Sequence, residues 1–262
     1  MDIHFIAKRA IVCGASKGMG RATAIELAAL GASVTLVARR AEALEQVKSA
    51  LDISKGQQHH ALAADFFDAR ALKEKITAHV AANGPFHILV NIAGGPPAGP
   101  AHLAEAVDFE RVFTQHLLAS HILMQAVVAG MKAEKYGRIV NVISTSVKQP
   151  IQGLGVSNTI RGAVANWAKT LAGELGPFGI TVNNLLPGPI DTDRLQEIIA
   201  GKAKKTGKSI DAIIAHEKAE VPAGRFGTAE EIAQAIAFLA SPAAAYINGI
   251  NLPVDGGRTA CL

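Results

Sequence analysis

Short aliphatic and β-branched runs alternate along this chain with longer stretches whose apolar residues recur every three or four positions. Residues 9–13, 33–38, 60–64, 87–91, 138–143, 180–186 and 249–254 read as strands. Between them, residues 19–30, 41–51, 69–80, 107–133 and 158–175 carry helical spacing, the last stopping before Gly176-Pro177. Such strand–helix alternation predicts parallel strands joined by right-handed crossovers, an α/β fold with one doubly wound sheet of about seven strands. No repeat, low-complexity tract or linker divides residues 1–262, so one domain is expected.

Composition narrows the class. The chain is 49% hydrophobic and 18% charged, a balance that supports a large core and argues against disorder. No run approaches the roughly 20 uninterrupted apolar residues of a membrane span, and the opening residues lack a secretory layout. The net charge of +4 comes without a basic stripe interleaved with aromatics, so neither nucleic acid nor membrane is expected as a partner. Cys13 and Cys261 lie at opposite ends of the chain without metal-ligand spacing; they read as free thiols in the cytoplasm, and no metal is expected. Lys202, Lys204, Lys205 and Lys208 form the one local charge cluster, read as a solvated loop or as an attraction for an anionic substrate.

Candidate chemistry begins after the first strand, at Gly14-Ala15-Ser16-Lys17-Gly18-Met19-Gly20. Glycines between a strand and a helix permit a sharp turn and close approach to a pyrophosphate, and the helix N-terminus offers unpaired N–H groups to it. At the end of the second strand, where NAD sites place a carboxylate, stand Arg39 and Arg40. A guanidinium pairs with a 2′-phosphate through a charge-assisted fork, and Lys17 adds a second cation, so NADP(H) is expected rather than NAD(H). The competing reading leaves both arginines solvated at a strand end.

These residues resemble the short-chain dehydrogenase/reductase family, whose members have a Rossmann fold. Asp65 matches the family's adenine-contacting aspartate, and Asn91-Ile92-Ala93-Gly94 is similar to its Asn-Asn-Ala-Gly motif. Gly137 to Asn141 resembles the approach to a catalytic serine, which would be Ser144. Pro187-Gly188-Pro189-Ile190-Asp191-Thr192 matches the loop that holds the nicotinamide carboxamide, and Val254 to Gly257 the usual ending. The resemblance implies a cofactor site of Gly14, Ser16, Lys17, Gly18, Met19, Gly20, Arg39, Arg40, Asp65, Asn91, Ala93, Gly94, Arg161, Pro187, Gly188, Ile190 and Thr192.

The chemistry departs from the family. Its members use an Asn-Ser-Tyr-Lys tetrad, and counting from Ser144 the tyrosine and lysine positions hold Ser157 and Arg161, while His116 falls at the asparagine. Neither tyrosine of the chain, Tyr136 or Tyr246, is placed to substitute unless one is contributed by another subunit. An aliphatic hydroxyl is a much weaker acid than a phenol, and an arginine keeps its proton. The candidate catalytic set is therefore Ser144, Ser157, Arg161 and His116. The imidazole supplies acid–base catalysis or fills a structural role, and Lys148 is a further possible proton donor.

The expectation is an NADP(H)-dependent oxidoreductase with an altered proton donor, acting on a carbonyl, alcohol or conjugated enoyl substrate. Two alternatives stay open: a non-catalytic NADP(H)-binding protein, and a lyase resembling the halohydrin dehalogenases. Residues 194–221 are expected to form a substrate lid. The helices in 107–133 and 158–175 are expected to pair subunits in a homodimer or homotetramer, or else to pack within one chain.

Overall fold

A computed structural model describes residues 2–261; residues 1 and 262, the ends of the expected domain, lie outside the described residues. Seven strands form: β1 (Arg9–Cys13), β2 (Ser33–Ala38), β3 (His60–Ala63), β4 (Ile88–Ile92), β5 (Gly137–Val142), β6 (Ile180–Pro187) and β7 (Asn251–Val254). They pair in one sheet, all parallel, in the order β3-β2-β1-β4-β5-β6-β7. The chain thus winds outward twice from β1 and β4, as the alternation predicts.

The helices are α1 (Gly18–Ala29), α2 (Ala41–Ser49), α3 (Ala69–Asn83), α4 (Ala106–Phe113), α5 (Ala119–Glu134), α6 (Gly155–Leu175), α7 (Asp193–Thr206), α8 (Ile210–Ala219) and α9 (Ala229–Ala240). Side chains alternate between the sheet's two faces, so each face has its own core. Val12, Val34, Val90 and Val140 pack under α1, α2 and α9, against Leu27, Leu44, Ile232 and Ile236. Ile11, Leu89, Ile139 and Val182 pack under α3, α5 and α6, against Ile76, Leu123, Val127 and Leu171.

Three expectations change. The helix expected at 107–133 is interrupted by a π-helical turn, Thr114–Leu118, between α4 and α5; one wide turn of this kind re-aims the side chains it carries, among them His116. The whole segment Ala106–Glu134 has the length and apolarity of a membrane span, yet Leu123, Val127 and Met131 are buried against the sheet and α3. The helix expected from 158 begins at Gly155, where the loop between β4 and α4 docks: a Cβ on Gly155 would lie 2.3 Å from the Ala101 nitrogen, and Gly155 N donates to Gly99 O at 2.9 Å. Ser157 therefore sits in the first turn of α6.

The segment 194–221 is helical, folded into α7 and α8. Lys202, Lys204 and Lys205 consequently belong to a helix and not to a loop; Lys204 and Lys205, in its last turn, complement the negative end of its dipole, and only Lys208 lies between the helices. Lys202 is paired at 2.6 Å with Glu217 of α8, which Arg258 also approaches at 3.7 Å. Apolar Leu195, Ile199 and Ile213 give the helix pair a small core of its own.

At the opposite, amino-terminal edge of the sheet, the buried His87 accepts a hydrogen bond through Nδ1 from the Arg9 backbone at 3.1 Å and rests against the Tyr136 ring. Burial, with Lys8 nearby, pushes its pKa down to about 4. Since the unfolded chain binds the proton more readily, the stabilisation is complete above about pH 6.5 and is lost as pH falls from there toward 4. We expect the free energy of unfolding, from urea titration, to drop by about 1–3 kcal/mol over that window. The drop should shrink in His87→Gln.

Candidate active site

All the candidate loops leave the carboxyl ends of the strands, and a row of polar side chains beneath them fixes where each begins. Cys13, Asn91, Asn141, Asn184 and Asn251 occupy one register position across β1, β4, β5, β6 and β7. Asn91 Nδ2 donates to Asn141 Oδ1 (2.8 Å), Asn141 Nδ2 to Asn184 Oδ1 (3.0 Å), and Asn184 Nδ2 to Asn251 Oδ1 (2.9 Å). Sequence reasoning singled out Asn91 alone. The other three were visible only as amides inside strands otherwise rich in Val, Ile and Leu, and pairing them needs the register.

The glycine loop is shaped for a ligand with a backbone-bound anion. Gly14 and Gly18 have positive φ (62° and 55°), and a Cβ on Gly20 would lie 2.3 Å from the Gly14 carbonyl oxygen. That closeness brings the start of α1 down onto the end of β1. Asp68, Ser209 and Thr228 cap their helices with side-chain oxygens, whereas Lys17, the N-cap of α1, provides none, as is also the case at the starts of α2, α6 and α7. The first-turn N–H groups of α1 therefore remain free for an outside acceptor. Gly18 faces Thr192, 3.6 Å from where its Cβ would be, so the glycine loop and the loop after β6 meet across one cleft. Gly188 N donates to Val254 O at 3.0 Å, and Thr192 Oγ1 to Ile190 O at 3.2 Å.

Around that cleft the other expected cofactor residues fall as follows. Arg39 and Arg40 are exposed at the end of β2 and enter none of the ion pairs among the described residues. Asp65 is exposed after β3 and accepts from Phe67 N at 3.1 Å. Lys17 is engaged with Asp193, the first residue of α7, at 3.1 Å. Arg194 beside it donates to Pro96 O at 3.2 Å. Neither Asp193 nor Arg194 was anticipated; nothing local marks them, because their partners lie far along the sequence.

The candidate catalytic residues converge from β5, the π turn and α6. Ser144 Oγ accepts from Ser146 N at 3.1 Å, which leaves its own O–H to donate. Ser157 is buried one turn before Arg161 on α6. Arg161 is also buried, and its Nη1 donates to Val142 O at 2.9 Å. No carboxylate pairs with it among the described residues, and burial pulls its pKa down to about 10, so it stays a cation near neutrality. His116 is buried as well; burial first, then the Arg161 charge, drive its pKa down to about 2, against an opposing hydrogen bond to the Gly94 backbone. A neutral imidazole of that kind has no proton to give as a general acid at ordinary pH. Tyr136 donates to Ala240 O at the far edge of the sheet and Tyr246 is fully exposed, so neither phenol reaches the site of its own chain. Cys13 is buried, with its thiol pushed up to about 12, and is inert.

A family profile described as enoyl-(acyl carrier protein) reductase matches residues 14–259. The chain belongs to the short-chain dehydrogenase/reductase family. Gluconate 5-dehydrogenase of Gluconobacter oxydans (strain 621H) is 32% identical over 97% of this chain and 95% of its own length. The 3-oxoacyl-[acyl-carrier-protein] reductase of Escherichia coli (strain K12) is 33% identical over 97% and 98%. Among solved structures, L-sorbose reductase from Gluconobacter frateurii, complexed with NADPH and L-sorbose, superposes with a TM-score of 0.93 at 28% identity, covering 100% of both chains. The seven-stranded sheet is thus the short-chain dehydrogenase/reductase sheet, and its relatives are oxidoreductases of alcohols and carbonyls.

The asparagine row makes a direct prediction. Asn141→Leu leaves Asn91 Nδ2 and Asn184 Oδ1 buried without partners. At about 1–3 kcal/mol for each orphaned group, urea denaturation should show a loss of roughly 2–5 kcal/mol.

Proposed function

We propose that this chain is an NADP(H)-dependent oxidoreductase that acts on a small carbonyl or alcohol, or on a conjugated enoyl group, without a tyrosine as its proton donor. The observation that carries this reading is the uncapped start of α1, beside a glycine turn that no Cβ could enter and two unpaired arginines at the end of β2. Backbone amides of Gly14 to Gly20 suit a pyrophosphate, Arg39 or Arg40 suits a 2′-phosphate, and Asp65 with Asn91 to Gly94 would border the adenine and ribose. The loop Pro187 to Thr192 would hold the nicotinamide carboxamide. NADP(H), when bound, supplies or accepts the hydride. That solved relatives are complexed with NADPH supports the same cofactor here.

The residues of the chain then have separate tasks. Ser144, its Oγ already oriented by Ser146 N, donates its O–H to the substrate oxygen. Arg161 provides a permanent positive charge that favours negative charge growing on that oxygen. Ser157 packs at the tyrosine position and, as an alcohol, relays from water at best. The lid helices α7 and α8 cover the substrate side. Exposed Val107, Phe113 and Leu118 on α4 and the π turn suit a contact between copies in a homodimer or homotetramer. The two free cysteines fit a reducing cytoplasm.

Calorimetric titration with NADPH, and with NADH as control, tests the cofactor. NADPH should bind more tightly, and Arg39→Ala should weaken it by about 10–100-fold, the worth of one charge-assisted hydrogen bond, with little effect on NADH. Failure of both nucleotides to bind rejects the proposal. Binding without turnover on saturated ketones and enoyl thioesters selects the non-catalytic reading. Restoring a phenol and an amine together, Ser157→Tyr with Arg161→Lys, should raise ketone reduction by about 10²–10⁴-fold, the usual contribution of a positioned general acid.

A further inference from the structure

Behind the Ser144 loop, between β4, β5, the π turn and α6, lies a cavity of ≈ 10 Å³ bordered by Asn91, Asn141, His116 and Arg161. That volume is about one water molecule and no more. Both His116 and Arg161 are more than nine-tenths buried, 4% and 7% exposed. Each has an enclosed polar atom without a partner: Nε2 of His116 and Nε of Arg161. A buried unpaired polar group costs about 1–3 kcal/mol, more when charged, so two beside one cavity need an account.

A guanidinium Nε–H can only donate, and the lone pair of a neutral imidazole can only accept. The two do not bond to each other directly. One water satisfies both, taking the arginine proton on its oxygen and giving its own to the ring. A chloride or larger anion exceeds the space and would face the imidazole lone pair. We propose that a single water is a fixed component of this site, accepting from Arg161 Nε–H and donating to His116 Nε2. His116 is then a positioning residue: with Val142 O, it holds the guanidinium inward, and leaves Nη2, which has no protein partner, for the cleft. Arg161 is the one charged group that bears on the imidazole, so burial and charge both keep the ring neutral. The assignment does not depend on which cofactor or substrate the cleft takes.

The test combines a high-resolution crystal structure with nitrogen NMR of wild type, His116→Gln and His116→Leu. In the wild type one ordered water should bridge the two residues, and the His116 ring should stay neutral from pH 8 to 5, protonated on Nδ1 alone. His116→Gln should keep the water and the sharp Arg161 Nε–H signal. In His116→Leu that proton should exchange with solvent about fivefold faster, the worth of one net hydrogen bond. A dry cavity, an imidazole titrating between pH 5 and 8, or an unchanged Arg161 signal in His116→Leu would overturn the assignment. Should the leucine variant fail to fold, the wild-type water and ring tautomer decide alone.

Discussion

Every loop of the candidate site depends on the register that the asparagine row imposes. Parallel strands covered on both faces by aliphatic side chains offer little to stop one sliding past another. Four amides bonded in series at 2.8 to 3.0 Å remove that freedom, because a slip orphans buried donors and acceptors together. The consequence is geometric. Gly14 follows Cys13 directly, Ala93 and Gly94 follow Asn91 by two and three residues, Ser144 follows Asn141 by three, and Pro187 follows Asn184 by three. The loops that border the cleft are thus measured from one line across the sheet. Position there is set by strand pairing before any side chain in a loop acts.

Above that line, the close approach of α1 has a single steric condition. Gly20 must lack a Cβ for the helix to descend onto Gly14, and Gly14 in turn presses on the Ile92 carbonyl, where a Cβ would come within 2.8 Å. The glycine loop and the end of β4 are therefore one packed unit. The missing helix cap is the functional counterpart: a side-chain cap at Lys17 would have satisfied the amides that an anion is proposed to bind.

Much of this was legible in the sequence, and the failures have physical causes. All seven strands form within two residues of expectation, since aliphatic runs between helices have few alternatives. The π turn was not legible, because an extra residue in a wide turn leaves the apolar spacing on either side intact. The lysine cluster was assigned to a loop because α7 has few apolar residues; its helix is held by Leu195 and Ile199 against α8, a pairing that local spacing does not reveal. For the site, the motif positions were readable but the partnerships were not. The residue type of His116 left both an acid–base and a structural role open, and only its burial beside Arg161, which lowers its pKa far below neutrality, separates them.

That pairing explains why the substitutions at 116, 157 and 161 make sense together. The family's tetrad pairs a phenol with an amine, and this chain has neither at those positions. A lysine buried without a phenol would itself tend to lose its charge, since desolvation alone lowers an ammonium pKa by several units. An arginine starts so high that even full burial leaves it near 10. Together with a neutral imidazole and serine hydroxyls, it gives this part of the site a charge state that does not change between about pH 5 and 9. Under the proposed function, protonation would come from water or from Lys148 at the rim, and the buried residues would act on the substrate oxygen through a fixed field.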